Sequence, residues 1–237
     1  FKLFNSTDFV FSNSKDFVRQ FLDEQLNKDL VNEYLLVYDK YYNEQNKKRE
    51  GLKARKRTSL NSVKVLKICM EINKELTQKQ KIYVLVQLLE FIFQNNNETE
   101  QSIEFVETVA DSFNISQQEY TYIKQFISAA QNESPQNENI LRITETEKKS
   151  GDFHHIQASG LNGEVRILYI KSVNMLFMKY FGTTELQLNG QLIRALKSYV
   201  LNQGSSLRGS KVSPVYYSDI INQFLSDSTK EKTNFTV

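Results

Sequence analysis

The chain carries one cysteine, two prolines, two histidines and no tryptophan in 237 residues. A single cysteine, Cys69, excludes an internal disulfide framework. It shares a helical face with Val65, Ile68 and Ile72, which predicts a small buried apolar residue rather than a reactive thiol. The only histidines, His154 and His155, are adjacent, so in a strand they point to opposite faces and cannot easily share a metal. No cysteine or carboxylate cluster accompanies them, and both are expected on the surface. Neither sign of charge dominates: 30 basic against 28 acidic residues leave +2. That balance predicts no strong attraction of the whole chain to nucleic acid or to an acidic membrane.

Long hydrophobic runs are also scarce. The longest apolar stretch, Ile82 to Phe93, has about twelve residues, too few to cross a membrane, which needs about 20. No secretory signal is visible, and the expected compartment is the cytoplasm. The chain opens on Phe1 rather than Met, so its native N-terminus is expected to lie upstream. Catalytic motifs are missing too. Gly204 to Lys211, GSSLRGSK, is a near miss for a phosphate-binding loop, but it reverses the required Lys and Ser and leads into VSPVYY, an extended segment rather than a helix. A hairpin loop is the better reading. No serine occupies a nucleophile elbow. Neither catalysis nor a cofactor is expected of this chain.

What is present is helix-forming sequence. Ile82, Leu85, Val86, Leu89 and Phe93 recur at helical spacing. Tyr83, Val84, Leu88 and Ile92 add apolar surface on other faces, which predicts a central helix enclosed by its neighbours. Capping patterns open the surrounding helices: Thr77 with Gln80, Thr99, and Ser116 with Glu119. Ser12-Asn13-Ser14 opens an earlier helix bearing Phe17, Val18, Phe21 and Leu22. A following helix puts Leu30, Val31, Tyr34, Leu35 and Tyr38 on one face. Between them and the centre lies a basic run containing Lys47, Lys48, Arg49, Lys53, Arg55, Lys56 and Arg57. No aromatic residues interleave for base stacking, so it reads as a solvated connection or helix extension that could meet an acidic protein or lipid, and no nucleic-acid partner is expected.

Residues 131–140, around QNESPQNEN, are polar, aperiodic and contain Pro135, and read as a linker. Beyond them the period falls from 3.6 to 2. Leu141 and Ile143, Ile156, Val165–Ile170, Met175–Phe181, Glu185–Gly190 and Ser198–Leu201 are separated by turn signals. Asn189-Gly190 suits a type I′ hairpin. The resulting organisation is an all-α domain over 1–130, a linker over 131–140, a small all-β sandwich or barrel over 141–225, and a further linker over 226–237.

Two resemblances extend this reading. Asp16-Phe17-Val18 repeats as Glu104-Phe105-Val106, with Asp8 opposite Asn96 eight residues earlier. Each reads as a turn, a spacer, then an acid opening a Phe-Val helix, and this resembles the acidic-turn helical hairpins of the TerB-like family. That resemblance implies acids which in some members hold a divalent cation. Here neither turn has glycine and the second is Asn95-Asn96-Asn97, so Asp8, Asp16 and Glu104 are expected to be helix-start acids and no metal is expected.

The strings RTSLNSVKVLKICMEIN, VLVQLLEFI, EFVETVADSFNIS, LQLNGQLI, GSSLRGSK and PVYYSDI resemble the N-terminal, non-catalytic region of large bacterial ABC transporter-like proteins. The resemblance implies a TerB-like helical bundle, a forkhead-associated (FHA)-like β-domain, then an ABC ATPase and membrane helices in the same polypeptide, at the cytoplasmic face of the inner membrane. It implies a regulatory or adaptor role with protein partners, residues 226–237 leading towards the following domain. The alternative is a divalent-cation- or phosphopeptide-sensing module. The Gly-Arg turn and Ser-x-x-His segment of phosphothreonine-binding FHA domains are absent, leaving Asn189, Ser205, Ser206 and Arg208 as candidate loop contacts.

Overall fold

The computed structural model describes residues 14–25, 28–49, 54–94, 98–130, 133, 137–147 and 153–232. Among these residues six helices come first: α1 (Ser14–Gln25), α2 (Lys28–Arg49), α3 (Ala54–Glu75), α4 (Gln78–Gln94), α5 (Glu100–Ser112) and α6 (Gln117–Ser128). A β-region follows. The chain divides into two compact units between Tyr120 and Thr121, a division that falls inside α6 rather than in the polar segment after Ala130.

In the first unit α4 is the enclosed helix its composition predicts. Ile82, Leu85, Val86 and Leu89 are fully buried, as are Val106, Val109 and Phe113 of the α5 region and Cys69 of α3. Even the two polar residues of the α4 run are buried, and Gln87 Nε2 donates to Glu90 Oε2 at 3.4 Å. The caps form as expected. Thr77 N donates to Gln80 Oε1 at 2.9 Å, and Gln80 N returns to Thr77 Oγ1 at 3.5 Å. Thr99 and Ser102 make the same reciprocal exchange at the start of α5, and Ser116 Oγ accepts from Glu119 N. Each pairing satisfies amides that a helix start leaves without partners.

Helices α1 and α2 share a small cluster of their own: Val18, Leu22, Val31, Leu35 and Tyr38. The expected face of α2 is therefore narrower than its sequence suggests. Leu30 and Tyr34 are 38% and 42% exposed, outside the 31–35–38 stripe that α1 covers.

Among the described residues, the second unit holds nine strands in two sheets, β1 (Ile140–Thr144), β2 (His154–Gln157), β3 (Gly163–Ile170), β4 (Met175–Gly182), β5 (Gln187–Leu188), β6 (Gln191–Leu192), β7 (Ser198–Leu201), β8 (Ser206–Arg208) and β9 (Val215–Tyr216). The first sheet runs β2-β1-β3-β4-β7 and the second β6-β5-β8-β9. Pairing is antiparallel except between β1 and β2. Leu141, Ile143, Val165, Ile167, Leu176 and Met178 join Leu207 and Val215 in one buried core, so alternate residues of both sheets face inward.

The structure departs from expectation here. The unit is not all-β, and residues 226–232 are helical rather than extended. They continue a helix, α7 (Tyr217–Lys232), that begins one residue after β9. Ile220 and Phe224, four apart, are 2% and 7% exposed and complete the core, and Asp219 Oδ2 accepts from Tyr216 N at the helix start. Residues 233–237 lie outside the described residues.

Candidate functional site

The four loop residues singled out in the β-unit do meet, in part. Asn189 and Gly190 both have positive φ, 54° and 83°, the expected I′ turn between β5 and β6. Asn189 Oδ1 accepts from Ser206 N at 2.9 Å, and its Nδ2 reaches Ser205 Oγ at 3.4 Å. Ser205, only 4% exposed, also accepts from Asn202 N at 3.0 Å. The side chains of Asn189 and Ser205 are engaged with each other and with backbone amides, tying the β5–β6 turn to the loop before β8. Arg208 stands apart, exposed on β8 with its guanidinium 5.6 Å from the Tyr216 ring.

The basic run divides between two helix ends. Lys47, Lys48 and Arg49 close α2, and Arg55, Lys56 and Arg57 lie in the opening turn of α3, so the run extends helices on both sides. Lys53 and Asp8 fall outside the described residues. Asp16 is exposed in the first turn of α1, where an acid suits the helix dipole. Glu104 is exposed within α5. Among the described residues, no three His, Cys, Asp or Glu side chains converge as a metal site requires.

His154 is not a surface residue, and His155 is half-buried. His154 is 5% exposed; its Nε2 bonds Glu138 O at 2.9 Å and its ring lies 4.7 Å from that of Phe224. His155, on the opposite face as strand alternation requires, bonds Thr144 Oγ1 at 2.8 Å. The added helix α7 explains the difference: Phe224 covers the face of β2 that would otherwise meet water. Cys69 is buried as expected. Burial pushes its thiol up to about 11, against a smaller opposing effect of a hydrogen bond to Ser112.

The densest polar cluster was not singled out from sequence. Register aligns His155, Arg142, Arg166, Lys179 and Ser198 directly across all five strands of the first sheet. Glu164, one row along, receives Arg142 Nε and Nη2 at 2.9 and 2.8 Å and Arg166 Nε at 2.6 Å. Burial alone would push the Glu164 carboxyl up, but these bonds and charges outweigh it and hold it below the usual carboxylate value. Arg166, fully buried, also stacks 4.1 Å from the Phe181 ring and donates Nη1 to Ala130 O. Lys179 Nζ donates to Ile127 O at 2.7 Å. The two cations thus satisfy carbonyls that the end of α6 leaves open, where the helix dipole is negative. The cluster fastens the last turn of α6 to the sheet. Its sequence signal was a charged residue inside an otherwise apolar strand, VRILYI and MLFMKYF.

Comparison of the chain with known protein families, with curated proteins and with solved structures finds no match.

Proposed function

We propose that the chain is a non-catalytic regulatory or adaptor module of an ABC transporter-type ATPase, supplying protein or interdomain contacts at the cytoplasmic face of the membrane. The observation that carries this reading is the employment of the polar clusters. Arg142, Glu164, Arg166 and Lys179 hold a helix end to a sheet, and the Asn189 and Ser205 side chains hold two loops together. Side chains so engaged suit a scaffold that presents surfaces. The resemblance of the sequence strings to ABC transporter-like proteins suggests the partner, and on that resemblance the helical unit would be TerB-like and the β-unit FHA-like. The test is to cross-link the protein in its native cells, solubilise the membranes and recover it with antibodies against this chain. The expected species contains a nucleotide-binding ATPase domain, within the same polypeptide or bound to it. Recovery of a species with no such domain overturns the reading.

A further inference from the structure

Between Leu186 and Ser218 the chain contains no Asp or Glu, yet it contains Arg194, Lys197, Arg208 and Lys211. These four bases exceed the net charge of +2 for all 237 residues, so the remainder of the chain is net negative. The stretch includes every strand of the second sheet. One face of that sheet sends Leu207 and Val215 into the core. The other carries Leu192, Gln187 and Arg208 in one cross-strand row, with Tyr216 beyond, and all four are exposed. Apolar area accompanies the charge: Leu192 is 65% exposed, Leu196 54% and Tyr216 43%.

Leu196 has φ 65°, a conformation that an exposed leucine enters at a cost and that Asn or Gly would enter freely. The β6–β7 loop holds it there. Leu196 N donates to Tyr180 O at 2.8 Å, Arg194 N to Tyr199 Oη at 2.8 Å, and Ile193 N to Leu186 O at 3.0 Å. A strained apolar side chain held out to solvent in the same loop as the exposed Arg194 is poorly suited to water. It fits a surface that is negative at its face and apolar beneath.

We propose that the outer face of the second sheet, with the β6–β7 loop, docks on an anionic lipid surface. Leu192 and Leu196 enter the acyl boundary, Tyr216 lies at headgroup depth, and Arg194, Arg208 and Lys197 meet lipid phosphates. The proposal is independent of the adaptor reading, since it concerns lipid rather than a protein partner.

Co-sedimentation of the full chain with vesicles tests it. Phosphatidylcholine vesicles with about one-third phosphatidylglycerol are compared with phosphatidylcholine alone, at about 0.1 M and about 0.5 M salt. The expected result is binding to the anionic vesicles only, weakened by salt. R194E/R208E should lower the partition at least about tenfold, and L192S/L196N several-fold, with circular dichroism showing both variants folded. Three outcomes overturn the proposal: no binding to anionic vesicles, equal binding to neutral ones, or losses confined to a K47E/K48E/R49E variant. Retention on polyglutamate beads without vesicle binding also overturns it and assigns the face to an acidic protein.

Discussion

Arg166 and Glu164 lie two residues apart on the same face of β3, and the arginine Nε donates to the carboxylate Oε1 across 2.6 Å. Both are buried, so neither charge can be exchanged for water if the other is removed. Glu164→Gln keeps the shape but leaves Arg142 and Arg166 without their anion. The expected loss is about 3–5 kcal/mol of unfolding free energy, the range for breaking a buried pair from one side, read by urea denaturation.

The same carboxylate sets an acid limit. Its folded pKa lies below the unfolded value, so its contribution is present above about pH 4.3 and is lost as pH falls through the folded pKa. The stability of Glu164→Gln should therefore fall less steeply with acid than that of the natural chain. Parallel slopes below that pH would disprove the assignment.

Cys69 gives a basic-side counterpart. Its thiol is raised to about 11, so the unfolded chain loses that proton first and stability declines as pH climbs above about 8.5. Alkylation by iodoacetamide at mildly basic pH should be slow in the native protein and rapid in urea. Fast alkylation without denaturant would contradict the buried position.

The Asn189–Ser205 tie is expected to matter for stability. Ser205→Ala removes the acceptor of a part-buried hydrogen bond from Asn202 N, at a cost of about 0.5–1.5 kcal/mol. A thermal midpoint equal to that of the natural chain would show that water substitutes freely.

Leucine at position 196 is the reverse case. Asn tolerates its positive φ, and the leucine is more than half exposed. Leu196→Asn should raise unfolding free energy by roughly 0.5–1 kcal/mol after the loss of its remaining packing.

The helices were legible because their signals are local. Thr77, Thr99 and Ser116 lie within four residues of the amides or side chains they bond, and α4 announces its burial by composition. The long strands were equally plain from alternation. The short ones were hidden: β6 and β8 have two and three residues, too few for alternation to repeat, and exist because neighbours pair with them. Helix α7 was missed for a related reason. Its apolar residues Ile220, Ile221, Phe224 and Leu225 follow directly on a strand, and without a turn signal PVYYSDI reads as continuing extended chain. The Arg142–Arg166–Lys179 alignment depends on the pairing register of three strands, which the periodicity within each strand does not encode. His154 became buried through Phe224, seventy residues away.

The pairing of β3 with β4 also bears on how the second unit is assembled. Eight residues on each strand are matched one to one across a connection of only four, Lys171 to Asn174, where Asn174 takes φ 49°. Every other strand of the first sheet must arrive from farther along the chain, and β2 must come round to lie parallel to β1. Closing a short loop costs the least entropy. The β3–β4 hairpin is therefore the natural nucleus of this unit, with its outer partners added in order of chain separation. Substitutions within the hairpin are expected to slow folding, while those in β2 and α7 chiefly speed unfolding.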